Sequence, residues 1–189
     1  LYANEPQQSE PINEHFQSVN QFIEAKNPNV FKNHPLALLK IFLLQQTHPE
    51  LKGIRASTIR LIRQHLYLID DAFRENKEVC SLFMSILRQK TGVTQQLRRM
   101  NRYGVLAAYI PEFGRVVGRM QYDLFHVYTV DEHTLFVLRN LRRFTLEKHR
   151  TEHPTANEIG ELIEKPELLY VAGLMHDIAK GSGGDHSTL

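Results

Sequence analysis

A histidine and an aspartate stand next to each other, as His176 and Asp177, in a stretch that is otherwise almost entirely apolar. The spacing predicts a helix from Pro166 to about Lys180 that has almost no polar face, so we expect it to be buried on most sides. Burying an imidazole beside a carboxylate costs free energy unless each group has a partner, and a divalent cation satisfies both. The alternative is a core histidine bonded to a backbone carbonyl, with Asp177 on an exposed flank. The pair alone leaves both interpretations open.

His133 strengthens the metal interpretation. It lies in the first turn of a second predicted helix and shares a face with three apolar residues, Val137, Leu141 and Phe144. Because that face should turn inward, His133 could meet His176 and Asp177 across a helix pair, with open space expected above His176 where Gly173 stands. Two imidazoles and a carboxylate suit zinc, manganese or iron better than calcium. Such an ion brings the pKa of bound water towards neutrality and screens phosphoryl charge, so the set predicts hydrolysis of a phosphate ester.

Other polar residues have competing interpretations. Lys180 follows the His-Asp pair by one helical turn and could neutralise a phosphate, or it could interact with the helix dipole. Two groups of arginines could be basic patches for an acidic partner or RNA, or solvated helix faces, which are commoner. These groups are Arg98, Arg99 and Arg102, and Arg139, Arg142 and Arg143. Cys80 lies on an apolar helical stripe and is expected in the core.

The elements that must position these residues are predicted to be helices. Apolar residues recur at helical spacing from His15 onward, and no stretch alternates with period two for long enough to support a sheet. The stripes of the first part are Phe16–Ile23, Leu36–Leu44, Ile59–Ile69, Val79–Leu87 and Leu97–Met100. We therefore expect an all-α fold that begins with a helical bundle.

A second helical module should follow, with the change of module between Tyr109 and Asp123, where proline and glycines interrupt the pattern. Thr129 and Glu132 form a capping box that predicts a helix from about Val130 to Phe144. The polar stretch His149–Asn157 is predicted to be a loop.

The composition is that of an ordinary globular protein. The 189 residues are 42% hydrophobic and 23% charged, with a formal net charge of +2, which gives no reason to expect nucleic acid or a membrane surface as a partner. The longest apolar stretch, Leu36–Leu44, is too short to span a bilayer. The single cysteine favours a reducing compartment and hence the cytoplasm. Because the chain starts at Leu1 and residues 1–14 are polar, we expect a loose lead-in within a longer protein.

The order His133, then His176-Asp177 within Leu-Met-His-Asp-Ile-Ala-Lys, resembles the HD superfamily of metal-dependent phosphohydrolases. Longer runs are similar to the bacterial bifunctional uridylyltransferase/uridylyl-removing enzyme family. In the second half these runs are Gly118–Leu135, Lys165–Tyr170 and Lys180–Ser187. In the first half they are Phe31–Leu39, Gly53–Leu61 and Leu97–Leu106, similar to the family's helical region between its transferase and HD domains. The resemblance covers nearly the whole chain from about residue 15.

The resemblance implies a domain organisation and an activity. It implies a helical linker region over residues 15–115 and the N-terminal part of a truncated HD domain over residues 116–189. The family transfers UMP from UTP to a tyrosine of the PII signalling protein, and removes it hydrolytically when glutamine is plentiful. The chain has no Gly-Ser turn followed by paired aspartates, which the transferase needs, so it would belong to the uridylyl-removing half.

The resemblance also implies site residues and a cofactor. His133, His176 and Asp177 match the HD metal ligands, and His186 matches a downstream position that can contact a second metal or the phosphate. Asp177 and Lys180 are the residues expected at the chemistry, with Mn²⁺ or Mg²⁺ favoured over Zn²⁺ or Fe²⁺. Because the closing aspartate of the motif would lie beyond the last residue, we expect a weakly occupied or empty site and an inactive isolated chain. An HD phosphohydrolase acting on nucleotides or RNA ends, and a non-catalytic helical binding module, stay open as alternatives.

Overall fold

The computed structural model describes residues 9–120 and 128–181. The helices of the first part are α1 (Val30–Asn33), α2 (Ala37–Thr47), α3 (Ala56–Gln64), α4 (Asp71–Glu75), α5 (Lys77–Leu87), α6 (Val93–Tyr103), α7 (Val105–Tyr109) and α8 (Pro111–Gly114). The helices of the second part are α9 (Val130–Phe144), α10 (Pro154–Glu161) and α11 (Pro166–Met175). Short 3₁₀ turns span Leu66–Leu68, Glu147–His149 and Ile178–Gly181. The prediction of a mostly helical fold is confirmed.

The prediction that the chain has no sheet, with a helix over Phe16–Ile23, is wrong. The chain forms four short strands in the order β1 (Ser9–Pro11), β2 (Phe16–Val19), β3 (Phe22–Ala25) and β4 (Gly53–Ile54). Strands β1, β2 and β3 pair antiparallel, and β4 joins β3 in parallel. The two-residue turn at Asn20 and Gln21 has positive φ at both positions, 51° and 66°, as tight hairpins with the twist of the strands require. A polar pair between two short apolar runs was the available signal for this hairpin.

Several predicted helices are confirmed where the local signals are strong. Helix α2 covers most of the Leu36–Leu44 stripe and α5 covers Val79–Leu87. Helix α6 ends at Gly104, whose φ of 86° lies in the left-handed region that glycine adopts at helix C-termini. Helix α9 has the predicted bounds. However, the Thr129 side chain caps no backbone N–H. The predicted capping box is therefore wrong, and it does not explain why the helix begins here.

The second part differs from prediction in three respects. The expected loop His149–Asn157 contains the start of α10. Helix α11 ends at Met175, so His176 and Asp177 lie just after it and not inside a helix running to Lys180. The helix is also less buried than expected, since the Leu168 side chain is 55% exposed. In the first part, Cys80 is exposed, which contradicts its expected place in the core.

Gly160 lets α10 pack tightly against the end of α9. A Cβ at this position would lie 2.2 Å from the Phe144 carbonyl oxygen, which is backbone and cannot turn away. We therefore expect Gly160→Ala to lower the free energy of unfolding by about 2 kcal/mol, although alanine is the better helix former. Urea denaturation measures this loss, and Glu158→Ala, at an exposed position of the same helix, is the matched control. Equal stability of the two variants would contradict the close packing.

Buried apolar residues form one cluster that runs through both parts of the chain. Its largest fully buried members are Phe16, Phe31, Phe42, Phe113, Ile23, Leu38, Leu39, Ile41, Ile62, Ile86, Leu87 and Leu97. Leu135, Leu138, Tyr170 and Leu174 of α9 and α11 belong to the same cluster. Helix α9 contacts both α6 and α11, so it connects the apolar core of the first part with that of the second. Within residues 9–120 and 128–181, the helices are too short or too polar to span a membrane.

Candidate metal centre

The structure brings His133, His176 and Asp177 together. His133 lies in the first turn of α9, and the other two residues directly follow α11. The Oδ2 atom of Asp177 is 3.2 Å from Nε2 of His176 and 3.7 Å from Nε2 of His133. The imidazole rings have centroids 5.7 Å apart. One nitrogen or oxygen atom from each residue lies within 4.8 Å of the other two.

The His176 ring is oriented by the helix that precedes it. Its Nδ1 lies 2.8 Å from the carbonyl oxygen of Gly173, one turn earlier. Because a carbonyl oxygen only accepts, Nδ1 donates to it, which leaves Nε2 as the ring nitrogen available to a metal ion. A backbone carbonyl on the second ring nitrogen is the usual way in which metal-ligating histidines are held. The carbonyl partner is the one expected in the alternative interpretation, but His176 is exposed and is therefore not a core histidine.

Asp177 and Lys180 form an ion pair at the edge of the cluster. The Lys180 ammonium nitrogen is 2.8 Å from Oδ2 of Asp177, and both side chains are largely buried, at 15% and 13% exposed. Asp177 is therefore not on an exposed flank. The Lys180 backbone carbonyl accepts a hydrogen bond from the Arg119 guanidinium at 3.3 Å. Lys180 thus contacts the carboxylate of the cluster, and its predicted contact with a substrate phosphate stays a prediction.

Gly173 has a different role from the one expected. A Cβ at this position would lie 2.7 Å from Cδ1 of Leu141, so α9 and α11 approach each other closely there. The space left by the missing Gly173 side chain is therefore not open, because Leu141 packs there. Gly173 lets α9 and α11 approach each other closely one turn before His176.

Asp131 is a buried polar residue that sequence reasoning missed. Its side chain is 5% exposed and accepts hydrogen bonds from the Asn101 amide at 2.8 Å and from the Gly118 backbone N–H at 3.0 Å. Burial alone would raise the pKa of Asp131, but the hydrogen bonds from Asn101, Gly118 and Thr129 hold it below its ordinary value. The available signal was a carboxylate in the first turn of α9, which looked like an ordinary charge at a helix N-terminus.

The arginine groups are only partly solvated. Arg142 is buried, so its interpretation as part of a solvated face or an accessible patch is wrong. Arg143 forms an ion pair with Glu152, and Arg139 lies over the Phe136 ring at 4.7 Å. His186, predicted at a second metal or the phosphate, lies outside the described residues.

The three described candidates fit a divalent ion. Nitrogen and oxygen ligands at ~2.1 Å from zinc lie ~3–3.5 Å from one another, close to the two histidine–aspartate distances. Two imidazole nitrogens and one carboxylate oxygen form a set that transition-metal ions accept. The assignment of His133, His176 and Asp177 as metal ligands remains a prediction supported by this geometry.

Comparisons with known proteins assign both parts of the chain. Residues 130–189 match the family described as HD domain, so the second part is an HD domain, the class of metal-dependent phosphohydrolases. Residues 16–109 match the family described as Uridylyltransferase GlnD third domain. The chain accordingly belongs with the bifunctional uridylyltransferase/uridylyl-removing enzymes, and the resemblance found in the sequence is confirmed.

Curated relatives match over nearly the whole chain. Bifunctional uridylyltransferase/uridylyl-removing enzymes are 68% identical over 94% of the chain in Methylococcus capsulatus and 64% identical over 95% in Nitrosococcus oceani. The enzyme of that name from Pseudomonas aeruginosa is 51% identical over 100% of the chain. The chain spans about a fifth of the length of these relatives, 20% or 21%.

Proposed function

We propose that this chain belongs to the uridylyl-removing half of a bifunctional enzyme and contributes to hydrolysis of a uridylyl-tyrosine phosphodiester. The helical region over residues 15–115 follows a lead-in over residues 1–14 and supports the HD part over residues 116–189. The observation that carries the proposal is the convergence of His133, His176 and Asp177 from two elements, with their ligand atoms within 4.8 Å of one another. The match to the HD domain family and the activity for which the relatives are named support the reaction class.

Each site residue has a role that follows from its contacts. His133 and His176 bind the ion through Nε2, and the Gly173 carbonyl keeps the His176 ring in the required tautomer. Asp177 binds through its carboxylate, whose charge Lys180 balances. Lys180 is close enough to the cluster to bind a phosphate oxygen of the substrate. A bound divalent ion supplies Lewis acidity and a nucleophilic water at neutral pH.

The cofactor and the partners are also part of this proposal. Mn²⁺ or Mg²⁺ is the favoured ion, and Zn²⁺ or Fe²⁺ would also suit the ligand set. The protein partners are PII and its uridylylated form, with UTP, UMP and glutamine as the small molecules of the complete enzyme. The cytoplasm is the proposed location.

The test uses the complete protein that carries this sequence and uridylylated PII as substrate. We expect His133→Ala and Asp177→Asn to slow the release of UMP by at least about 100-fold and to leave UMP transfer from UTP unchanged. Tyr67→Ala, at a position 66% exposed in the helical region, is the control. Faster hydrolysis of free nucleotides or RNA ends than of uridylylated PII would instead support the nucleotide or RNA phosphohydrolase. Unchanged UMP release in both variants would contradict the assignment of the site.

A further inference from the structure

Asp131 connects three separate segments of the chain beside the metal-centre residues. It lies in the first turn of α9, two residues before His133, and it accepts hydrogen bonds from Asn101 in α6 and from the backbone of Gly118. Two residues correspond to about 200° of rotation around an α-helix. Asp131 and His133 therefore point to roughly opposite sides of α9, one towards the helical region and the other towards α11.

The backbone next to Gly118 holds the same turn of α9 from a second direction. The Val130 N–H donates to the Arg119 carbonyl at 2.9 Å, and Met120 forms an antiparallel bridge with Thr129. Gly118 itself has a φ of 71°, a left-handed conformation that a side chain would strain. This conformation directs the chain back alongside α9, so the Gly118 N–H reaches Asp131.

Buried hydrogen bonds at this position fix the rotation of α9 about its axis. A carboxylate that is 5% exposed must keep its donors, because an unpaired buried charge is costly. If Asp131 moved away from Asn101, the first turn of α9 would rotate or shift, and His133 would move with it. Ligand atoms need placement to within about 0.5 Å to bind an ion well.

We propose that Asp131 and Asn101 are positioning residues for the metal centre. Through the hydrogen bond between them, the helical region fixes the position of His133. This inference rests on the proposed function only in requiring that the cluster binds a divalent ion. The helical region then holds a metal ligand in position, although its helix α6 contributes no ligand to the metal centre.

A second contact between the two parts provides a matched control. Arg88, just after α5, donates to the Glu167 carboxylate at 3.0 Å. Glu167 is in the first turn of α11, nine residues before His176, so this ion pair is at the far end of that helix from the cluster. Losing this ion pair should weaken the contact between the two parts of the chain without rotating α9.

The test measures the Mn²⁺ affinity of the complete protein that carries this sequence, by electron paramagnetic resonance of the free ion, alongside thermal unfolding. Asn101→Asp places two carboxylates in contact and should weaken Mn²⁺ binding by about 10-fold. Adding Asp131→Asn to this variant places an amide donor opposite the new carboxylate, and affinity should return to within about 3-fold of the wild type. Asp131→Asn alone should weaken binding, so that its effect changes sign between the two backgrounds. Arg88→Ala should leave affinity unchanged even if it lowers the Tm.

Four other outcomes would each contradict the inference. If Asn101→Asp lowers the Tm while the affinity stays at the wild-type value, the pair is only structural and the inference is wrong. If that variant does not fold, Asn101→Ala removes the hydrogen bond without adding charge, and wild-type affinity there would likewise overturn it. If the complete wild-type protein binds no Mn²⁺ at all, the proposed metal site is wrong and the inference fails with it, whereas the two outcomes above overturn the inference alone. If the wild type binds and Arg88→Ala weakens binding as much as Asn101→Asp, any loosening of the two parts suffices and no positioning role exists.

Discussion

His176→Ala is expected to weaken Mn²⁺ binding by the complete protein that carries this sequence by at least about 100-fold. The substitution removes one of only three described ligand atoms, and even groups that merely orient metal ligands contribute about 10- to 100-fold to affinity. The His176 Nε2 atom lies 3.2 Å from Oδ2 of Asp177, so the substitution leaves the cluster with one imidazole nitrogen and one carboxylate. A titration followed by electron paramagnetic resonance of free Mn²⁺ measures the change directly.

His48→Ala is the matched control for this prediction. The His48 ring has its Nδ1 2.8 Å from the Leu44 carbonyl oxygen, the same kind of contact that His176 makes with Gly173. No His, Cys, Asp or Glu cluster of metal-binding geometry includes His48 among the described residues. We expect wild-type Mn²⁺ affinity for His48→Ala. Equal losses in the two variants, or wild-type affinity in His176→Ala, would show that the ion binds elsewhere.

Arg142→Ala is expected to lower the free energy of unfolding by about 3 kcal/mol, more than Gly160→Ala. Arg142 is 8% exposed, and its guanidinium donates to the carbonyl oxygens of Gln89 at 2.8 Å and Lys90 at 2.5 Å. It also lies over the Tyr170 ring, 5.6 Å from its centroid. Burial lowers the pKa of Arg142, and Tyr170 opposes that shift. Removing the guanidinium leaves two carbonyls at the contact between the two parts without their donor.

Urea denaturation measures this loss as a lower midpoint with an unchanged slope. Arg139→Ala, one turn earlier on α9, is the control. Its guanidinium rests on a partly exposed Phe136 ring, and a cation–π contact at such a site contributes about 0.5–1 kcal/mol. A loss for Arg142→Ala no larger than that of Arg139→Ala would mean that the two backbone carbonyls find other partners at little cost.

The two ends of α9 are therefore held by different chemistry. At the N-terminal end a carboxylate accepts bonds from Asn101 and Gly118, and at the C-terminal end Arg142 donates to the backbone after α5. Both contacts are polar, buried and directed at the helical region. Because hydrogen bonds have preferred directions, they define the rotation of α9 more sharply than apolar packing alone.

Errors of prediction in the first part came from short apolar runs. Phe16, Val19 and Ile23 fit a helical stripe, yet they lie in a hairpin. Phe16 and Ile23 share the face that belongs to the core, and Val19 is buried on the opposite face. In a run of eight residues the two periods are hard to distinguish, and the positive φ at Asn20 and Gln21 decided for strands. Longer stripes, such as that of α9, left no such ambiguity.

Sequence alone determined the helical character of the chain, the bounds of α9, the end of α6 at Gly104 and the choice of His133, His176 and Asp177 as candidates. These features depend on residues within one or two turns of each other, where side-chain type and spacing act directly. Only the tertiary structure decided that the histidines face one another, that Leu141 fills the space beside Gly173, and that Asp131 contacts Asn101. Those contacts join positions about 30 or more residues apart, so they follow from how whole helices pack and not from any local pattern.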